Sequence, residues 1–483
     1  MSSRMMLDIS SFARWAGPPV GIIRVECELA RWAKEHVDHV EFVFFDPERR
    51  AYRKLNKKWI KPLIDKAFSV NPWVSPNTKA HPRRSDRIPR AIKPAVMWVL
   101  QSRRSALLLL ERIRLLAGNS TIRMAAEKLQ RPLITKKYRP YMFHADGTRK
   151  SLIAYGEFLG PMVEFTSADT LICAGAPWEH SDINIIKTHK ERFGFRFVAL
   201  CHDIIPLQFP QYYKQSDVTT FQAYYNVAFP LADLVVFTAH ASRRDALTYC
   251  KTHNLKINEA CVVPPGADGA VPRATAEATL PPGIERGRYA LYVSTIEPRK
   301  GHQLIYNVWL KLLAEGLPQN TGFKLAFVGR PGWKVDKLID QLNNDTRLHN
   351  SLYLLTSVND NQLAALYDGA AFCLYPSEYE GYGLPVVEAF SRGKALLAST
   401  GGAIPEVVAG LSPCLDPHDE KLWHSMLRQW IADPTARAPY EAAIRTRFRP
   451  TSWGESAQRF FEVAAAGPGA HHEPAELSPV IIQ

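Results

Sequence analysis

Short apolar runs alternate with longer mixed stretches along most of this chain. Val40–Phe45, Thr170–Cys173, Phe195–Cys201, Leu234–Phe237 and Ala260–Val263 are four to seven residues long and read as buried strands. Met5–Ile9 reads as an opening strand, and Arg24–Lys34 as the helix that leads to Val40. A second series runs through Tyr289–Val293, Lys324–Gly329, Leu352–Leu355, Ala371–Tyr375 and Ala395–Ala398. Strands that alternate with helical stretches predict parallel sheets wrapped by helices. The fold class expected is therefore α/β, with two Rossmann-like, doubly wound domains.

A Pro/Gly/Ala-rich stretch, about 264–287, separates the two series and reads as an interdomain linker. The organisation predicted is an N-terminal domain over 1–275, a second domain over 288–450, a helix over 451–466 and a disordered tail over 467–483.

The alternation breaks between Arg49 and Lys150. That segment holds 26 Lys and Arg against five acids, a net of +21, while the rest of the chain carries −8. The formal charge of +13 thus belongs to one basic insert on a mildly acidic body. Such an insert implies an anionic partner. Within it, Pro94–Ala117 reads as an amphipathic helix with Trp98, Ala106, Leu109, Ile113 and Leu116 on one side. The insert is expected to be mostly helical. Two readings are open for it: docking on an anionic membrane surface, or plain packing on the N-terminal domain with solvated charges.

Composition narrows the class further. With 46% hydrophobic and 22% charged residues, the chain matches a soluble globular protein rather than a disordered one. Its seven cysteines form no C-x-x-C pair, and Cys173, Cys201 and Cys373 fall inside apolar runs, so a reducing compartment is expected. No run approaches the roughly 20 apolar residues of a membrane span. A cytoplasmic location is predicted, with peripheral docking on the inner face of the cell membrane as the extension of it.

The candidate chemistry lies in Pro376-Ser-Glu-Tyr-Glu-Gly-Tyr-Gly-Leu-Pro-Val-Val-Glu388. It follows a predicted strand and opens a predicted helix, with Pro385 suited to the first turn and Gly393 to the stop. Ligands of open parallel sheets bind beyond such strand ends. A helix start favours an anion such as a diphosphate, and Glu380 and Glu388 can accept hydrogen bonds from hydroxyls. By spacing alone, Glu380 also reads as a solvated loop residue and Glu388 as a complement to the helix dipole. Val293-Ser-Thr-Ile-Glu-Pro-Arg-Lys-Gly301 sets adjacent cations, Arg299 and Lys300, after the first strand of the same series. His202 follows the strand that ends at Cys201; taken alone, it reads as a structural histidine.

The second half resembles the retaining glycosyltransferases of family 4 (the glycosyl transferases group 1), which have the GT-B fold. Pro376–Ala389 is similar to their paired-glutamate signature, with Tyr382 where Phe is usual. Ser294–Gly301 resembles their phosphate loop, and Phe327–Trp333 and Val358–Tyr367 the segments around their base pocket. Ala403–Val407 is similar to the loop after the next strand. Gly21-Ile-Ile-Arg-Val25 and His202-Asp-Ile-Ile-Pro206 resemble, more loosely, the first glycine loop and the segment that supplies an active-site histidine. The resemblance is close over about 289–455, and the insert has no counterpart in the common core.

The resemblance implies roles. Glu380 would hold donor-sugar hydroxyls, and backbone N–H groups of Tyr382, Gly383 and Leu384 would meet sugar and phosphate. Glu388 would bind the ribose, and Val358 the base through its backbone. Arg299 and Lys300 would neutralise the leaving diphosphate, His202 would contact the donor sugar, and Gly21 would line the donor site. Many members carry an Arg six residues before the phosphate-loop Lys, where this chain has Ser294. Loops with adjacent Arg-Lys resemble a subgroup rich in mannosyltransferases, so GDP-mannose is the first-choice donor. The acceptor implied is a glycan or polyprenyl-linked saccharide. No D-x-D pair occurs, no cofactor is implied, and a metal-independent reaction is expected. Two rivals remain: a sugar-nucleotide epimerase of the same architecture, and a nucleic-acid-binding protein using the insert. The insert has few aromatics and no recognised nucleic-acid motif, so no nucleic-acid partner is expected.

Overall fold

The computed structural model describes residues 4–15, 19–65, 105–107, 109–117, 119–134, 155–268 and 279–467. Trp98, the tail and the centre of the predicted linker lie outside them. The chain divides into two compact units, Met1–Phe197 and Val198–Gln483.

The first unit holds β1 (Arg4–Asp8), β2 (Glu41–Asp46), β3 (Ala51–Leu55), β4 (Leu159–Met162) and β5 (Asp169–Cys173), in the spatial order β4-β3-β2-β1-β5. β2, β1 and β5 are parallel; Leu7 stands opposite Phe42 on one side and Ile172 on the other. Met6, Leu7, Leu171 and Ile172 are fully buried, as their apolar runs require. The crossover helix Gly21–His36 buries Ile23, Val25, Cys27, Leu29, Ala30 and Ala33 along one stripe.

The basic segment does not begin as helix. β3 pairs antiparallel with β2, and β4 with β3, so this edge of the sheet is mixed. The strand is hidden in the sequence because its middle is charged. Arg53 and Lys54 pair with Asp46 and Glu41 of β2, while Ala51, Tyr52 and Leu55 are buried. Pro161 in β4 suits an edge strand.

Of the two readings open for the apolar stripe, packing on the domain is not met at its described residues Leu109, Ile113 and Leu116. Residues 105–107 and 109–116 are helical, but Leu109, Ile113 and Leu116 are exposed, and Leu107 and Leu115 are buried instead. An ion pair turns the helix. Arg114 Nη2 donates to Glu111 Oε1 at 2.7 Å, and Gln130, from the helix Ser120–Gln130, donates to Glu111 Oε2 at 2.9 Å. Both charges are buried, so the face that carries them has to face inward.

In the second unit, β6 (Arg196–Cys201, which spans the division between the units), β7 (Leu234–Phe237) and β8 (Ala260–Val262) run parallel. A separate six-stranded parallel sheet is formed by β9 (Tyr289–Val293), β10 (Lys324–Val328), β11 (Leu352–Leu355), β12 (Phe372–Tyr375), β13 (Leu396–Ser399) and β14 (Cys414–Leu415). Its order is β11-β10-β9-β12-β13-β14. The order reverses between β9 and β12, and in doubly wound sheets ligands bind beyond the strand ends at that reversal. Trp309, Trp423 and Trp430 are fully buried in its core. The last helix, Trp453–Ala465, starts with a capping box from Ser452 and Glu455 and ties back to the segment after β8 through Ser456 Oγ to Pro264 O at 2.7 Å.

Candidate active site

The loops after β9 and β12 meet at the sheet reversal. Residues after β9 make a short turn, Pro298–Lys300, and Gly301 then opens the helix His302–Ala314. Gly301 has φ +71°, and a Cβ there would strike the carbonyl oxygen of Pro376, so only glycine fits where the two loops cross. Glu378 N donates to Arg299 O at 2.7 Å, which closes the junction.

Four charges gather at this junction. Lys300 Nζ donates to Glu380 Oε1 at 2.6 Å, and Arg299 Nη1 lies 3.0 Å from Glu380 Oε2. Arg299 Nη2 donates to Glu297 Oε1 at 2.6 Å, and Nη1 also donates to the carbonyl of Tyr379. Glu297, Arg299 and Glu380 are all buried. Burial alone would push the Glu380 carboxyl up, but Arg299 and Lys300 outweigh it and hold it at about 2. Glu380 is therefore an acceptor of hydrogen bonds at neutral pH and carries no proton to give.

Glu388 sits on the helix Leu384–Ser391. Gly383, at φ +110°, precedes this helix, and no side chain caps its first N–H groups. Tyr382, Gly383 and Leu384 thus lead into a helix start suited to an anion. Tyr367 Oη donates to Glu388 Oε2 at 2.8 Å and orients that carboxylate. Burial, with Glu388 beside it, pushes the Tyr367 phenol well up, so it stays a donor. Tyr367 belongs to the helix Asp360–Gly369, which Asn359 and Gln362 cap, and Val358 stands just before that cap. Val358 and Glu388 are thereby linked through one helix.

His202 follows β6 and is buried. Thr238 Oγ1 donates to its carbonyl at 2.9 Å. The His202–Asp203 turn lies directly on Gly381, where a Cβ would meet the Asp203 side chain at 2.6 Å and His202 O at 2.9 Å. Ser242 Oγ donates to Gly381 O at 3.0 Å. The space beside Gly381 is taken by this turn. Gly21 begins its helix in the first unit, with φ +52°.

Glu297, Asp203 and Tyr367 were not among the residues singled out from sequence. Glu297 and Asp203 adjoin residues that were, and a loop reading that asked what neutralises two adjacent cations would have reached Glu297. Tyr367 has no such signal, because packing alone brings it to Glu388.

The family model for glycosyl transferases group 1 matches residues 281–447, which span both loops and both glutamates. That match spans about a third of the chain, which is there similar to the glycosyl transferases group 1 and reads as a glycosyltransferase. The chain is 27% identical over 268 residues to O-antigen chain mannosyltransferase B of Escherichia coli, covering 53% of this chain and 67% of that protein. Further mannosyltransferase relatives are matched over only 24% of their own length. The structure resembles sucrose-phosphate synthase from Thermosynechococcus elongatus at 17% identity, with a TM-score of 0.55 over 95% of this chain and 98% of that one. It also resembles Anabaena Alr3699/HepE, solved with UDP-glucose, at 14% identity and a TM-score of 0.53 over 96% and 99% of the two chains. At those identities the likeness establishes the fold, which is GT-B.

This junction offers a lysine ammonium paired with one carboxylate, an uncapped helix start and a second oriented carboxylate. Among the described residues no cluster of His, Cys, Asp or Glu is arranged to hold a metal ion. Nor, among them, is any helix long and apolar enough to cross a membrane.

Proposed function

We propose that the protein transfers a hexose, mannose as first choice, from a nucleotide diphosphate sugar to a glycan or lipid-linked saccharide during polysaccharide synthesis. The observation that carries the reading is the buried Glu297–Arg299–Glu380–Lys300 cluster beside an uncapped helix start, at the reversal of a doubly wound sheet. The names of the mannosyltransferase relatives favour mannose, and therefore GDP-mannose.

In this reading the sugar–phosphate bond breaks with its electron pair leaving on the diphosphate. Positive charge builds on the sugar and negative charge on the leaving group. A lysine ammonium and helix-start N–H groups stabilise the latter without reorganising. The acceptor hydroxyl attacks from the face the diphosphate leaves, its proton passes to a departing phosphate oxygen, and configuration is retained. Glu380 holds sugar hydroxyls and Glu388 the ribose, and no metal is required. His202 contacts the donor sugar.

For the acceptor, docking on an anionic lipid surface through 49–150 is favoured by the exposed Leu109, Ile113 and Leu116 beside Arg112. Flotation with anionic vesicles tests this part. Leu109→Glu with Ile113→Glu should abolish binding, and undiminished flotation removes the idea.

The donor is tested with a panel of nucleotide sugars scored by thermal shift and by hydrolysis, with Glu388→Ala as the control. A sugar nucleotide converted to its epimer without any acceptor would overturn the transferase reading in favour of an epimerase.

A further inference from the structure

Arg299 and Lys300 are adjacent in sequence but hold different positions in the charge cluster. The Arg299 guanidinium is bracketed by Glu297, by the carboxylate of Glu380 and by the backbone carbonyl of Tyr379. It is 7% exposed, and burial and the surrounding acids leave it no route to solvent-facing ligands. Asp203 also faces it and adds negative field. A diphosphate brought to this guanidinium would meet Glu297, Glu380 and Asp203 at close range, and Arg299 would have to abandon buried partners to reach it.

Lys300 is nearly as enclosed, 13% exposed against 9% by side chain, but it is held by fewer partners. Its ammonium has one close partner, Glu380 Oε1 at 2.6 Å, and Glu297 stands off at 4.0 Å. An ammonium on a four-carbon stem can redirect its donors, whereas a planar guanidinium held at both ends cannot. Arg299 Nη1 reaches both Tyr379 O and the Glu380 carboxylate, so it fixes the backbone entering residue 380 together with the side chain of that residue.

We propose that Arg299 is a positioning residue that acts through Glu380, and that Lys300 is the member of the pair that meets the leaving diphosphate. Glu297 belongs to the same device as the anchor of the guanidinium. The inference rests on the donor-site reading above and reassigns one of its residues.

The test is the affinity of GDP and UDP, by titration calorimetry, for the full chain and its Lys300→Gln, Arg299→Gln and Glu297→Gln variants. Hydrolysis of GDP-mannose or UDP-glucose is measured alongside. Lys300→Gln should weaken nucleoside diphosphate binding at least about tenfold. Arg299→Gln and Glu297→Gln should leave that affinity within about threefold while turnover falls by about tenfold or more. Arg299→Gln weakening the diphosphate as much as Lys300→Gln does would overturn the proposal. If Arg299→Gln loses its cooperative melt, Glu297→Gln decides: lost turnover at unchanged affinity supports the proposal, and unchanged turnover overturns it. A wild-type protein that binds neither GDP nor UDP would instead remove the donor-site reading, and this inference with it.

Discussion

Lys300 Nζ lies 2.6 Å from Glu380 Oε1, so the cation we propose for the phosphate and the carboxylate we propose for the sugar neutralise each other. Donor binding has to exchange this contact for two others. Removing the carboxylate frees the lysine but deprives the sugar of its acceptor. Glu380→Gln should therefore lower turnover by about 100-fold, the loss of a hydrogen bond to a charged group. Its affinity for GDP or UDP should hold or rise. Calorimetry and a donor-hydrolysis assay on the same preparation separate the two effects. Because Arg299 and Lys300 hold Glu380 at about 2, no limb of the pH–rate profile between pH 4 and 9 should vanish in this variant.

Tyr367 tunes the other carboxylate. Its hydroxyl is a neutral donor held 2.8 Å from Glu388 Oε2. Tyr367→Phe keeps the ring in its buried site and removes only that bond. KM for the donor should rise about tenfold with kcat little changed, because the ribose contact proposed for Glu388 would serve ground state and transition state alike. A fall in kcat at constant KM would mean that Tyr367 acts on the sugar side instead.

Five of the strands of the six-stranded sheet were legible as short apolar runs, and four of them, β9, β10, β12 and β13, are buried on both faces; the two-residue β14 was not legible. The loops after β9 and β12 were legible as strand-end loops of one sheet, and the strand order then makes them neighbours. What the sequence hid depends on partners far along the chain. Tyr367 meets Glu388 through packing of one helix against another. β3 is masked by Arg53 and Lys54, which become cross-strand ion-pair partners only once Asp46 and Glu41 are beside them. The helix through 109–116 shows an apolar stripe, yet Gln130 and the Glu111–Arg114 pair decide which side goes in. Periodicity measures apolar surface and is blind to a buried ion pair.

Gly301 is where the two site loops cross, and its backbone is in the left-handed region at φ +71°. Gly301→Ala adds a Cβ against the Pro376 carbonyl in a conformation that L residues rarely adopt. The loss should be about 1–3 kcal/mol of stability. Donor affinity should fall with it, since the Pro298–Lys300 turn must shift to relieve the clash. Urea unfolding and GDP titration of this variant check both. An unchanged midpoint would show that the loops separate without cost.

His302 makes stability sensitive to pH. It is the first residue of the helix after Gly301, is 1% exposed, and stacks on Tyr292 at 4.4 Å and against Phe327 at 5.0 Å. Burial, with Lys300 beside it, lowers its pKa from 6.5 to about 3. The folded ring is therefore neutral where the unfolded ring gains a proton. The contribution to stability is full above about pH 6.5 and is lost progressively as pH falls from there toward 3, because the unfolded state binds the extra proton. At pH 5 the loss should be about 2 kcal/mol, and each further pH unit should cost about 1.4 kcal/mol until the folded ring itself titrates. Urea midpoints measured from pH 8 to pH 4 read this slope. His302→Phe keeps an aromatic ring between Tyr292 and Phe327 and cannot take up a proton, so its stability should fall less steeply over that interval. Parallel slopes for the two proteins would place the acid sensitivity elsewhere in the chain.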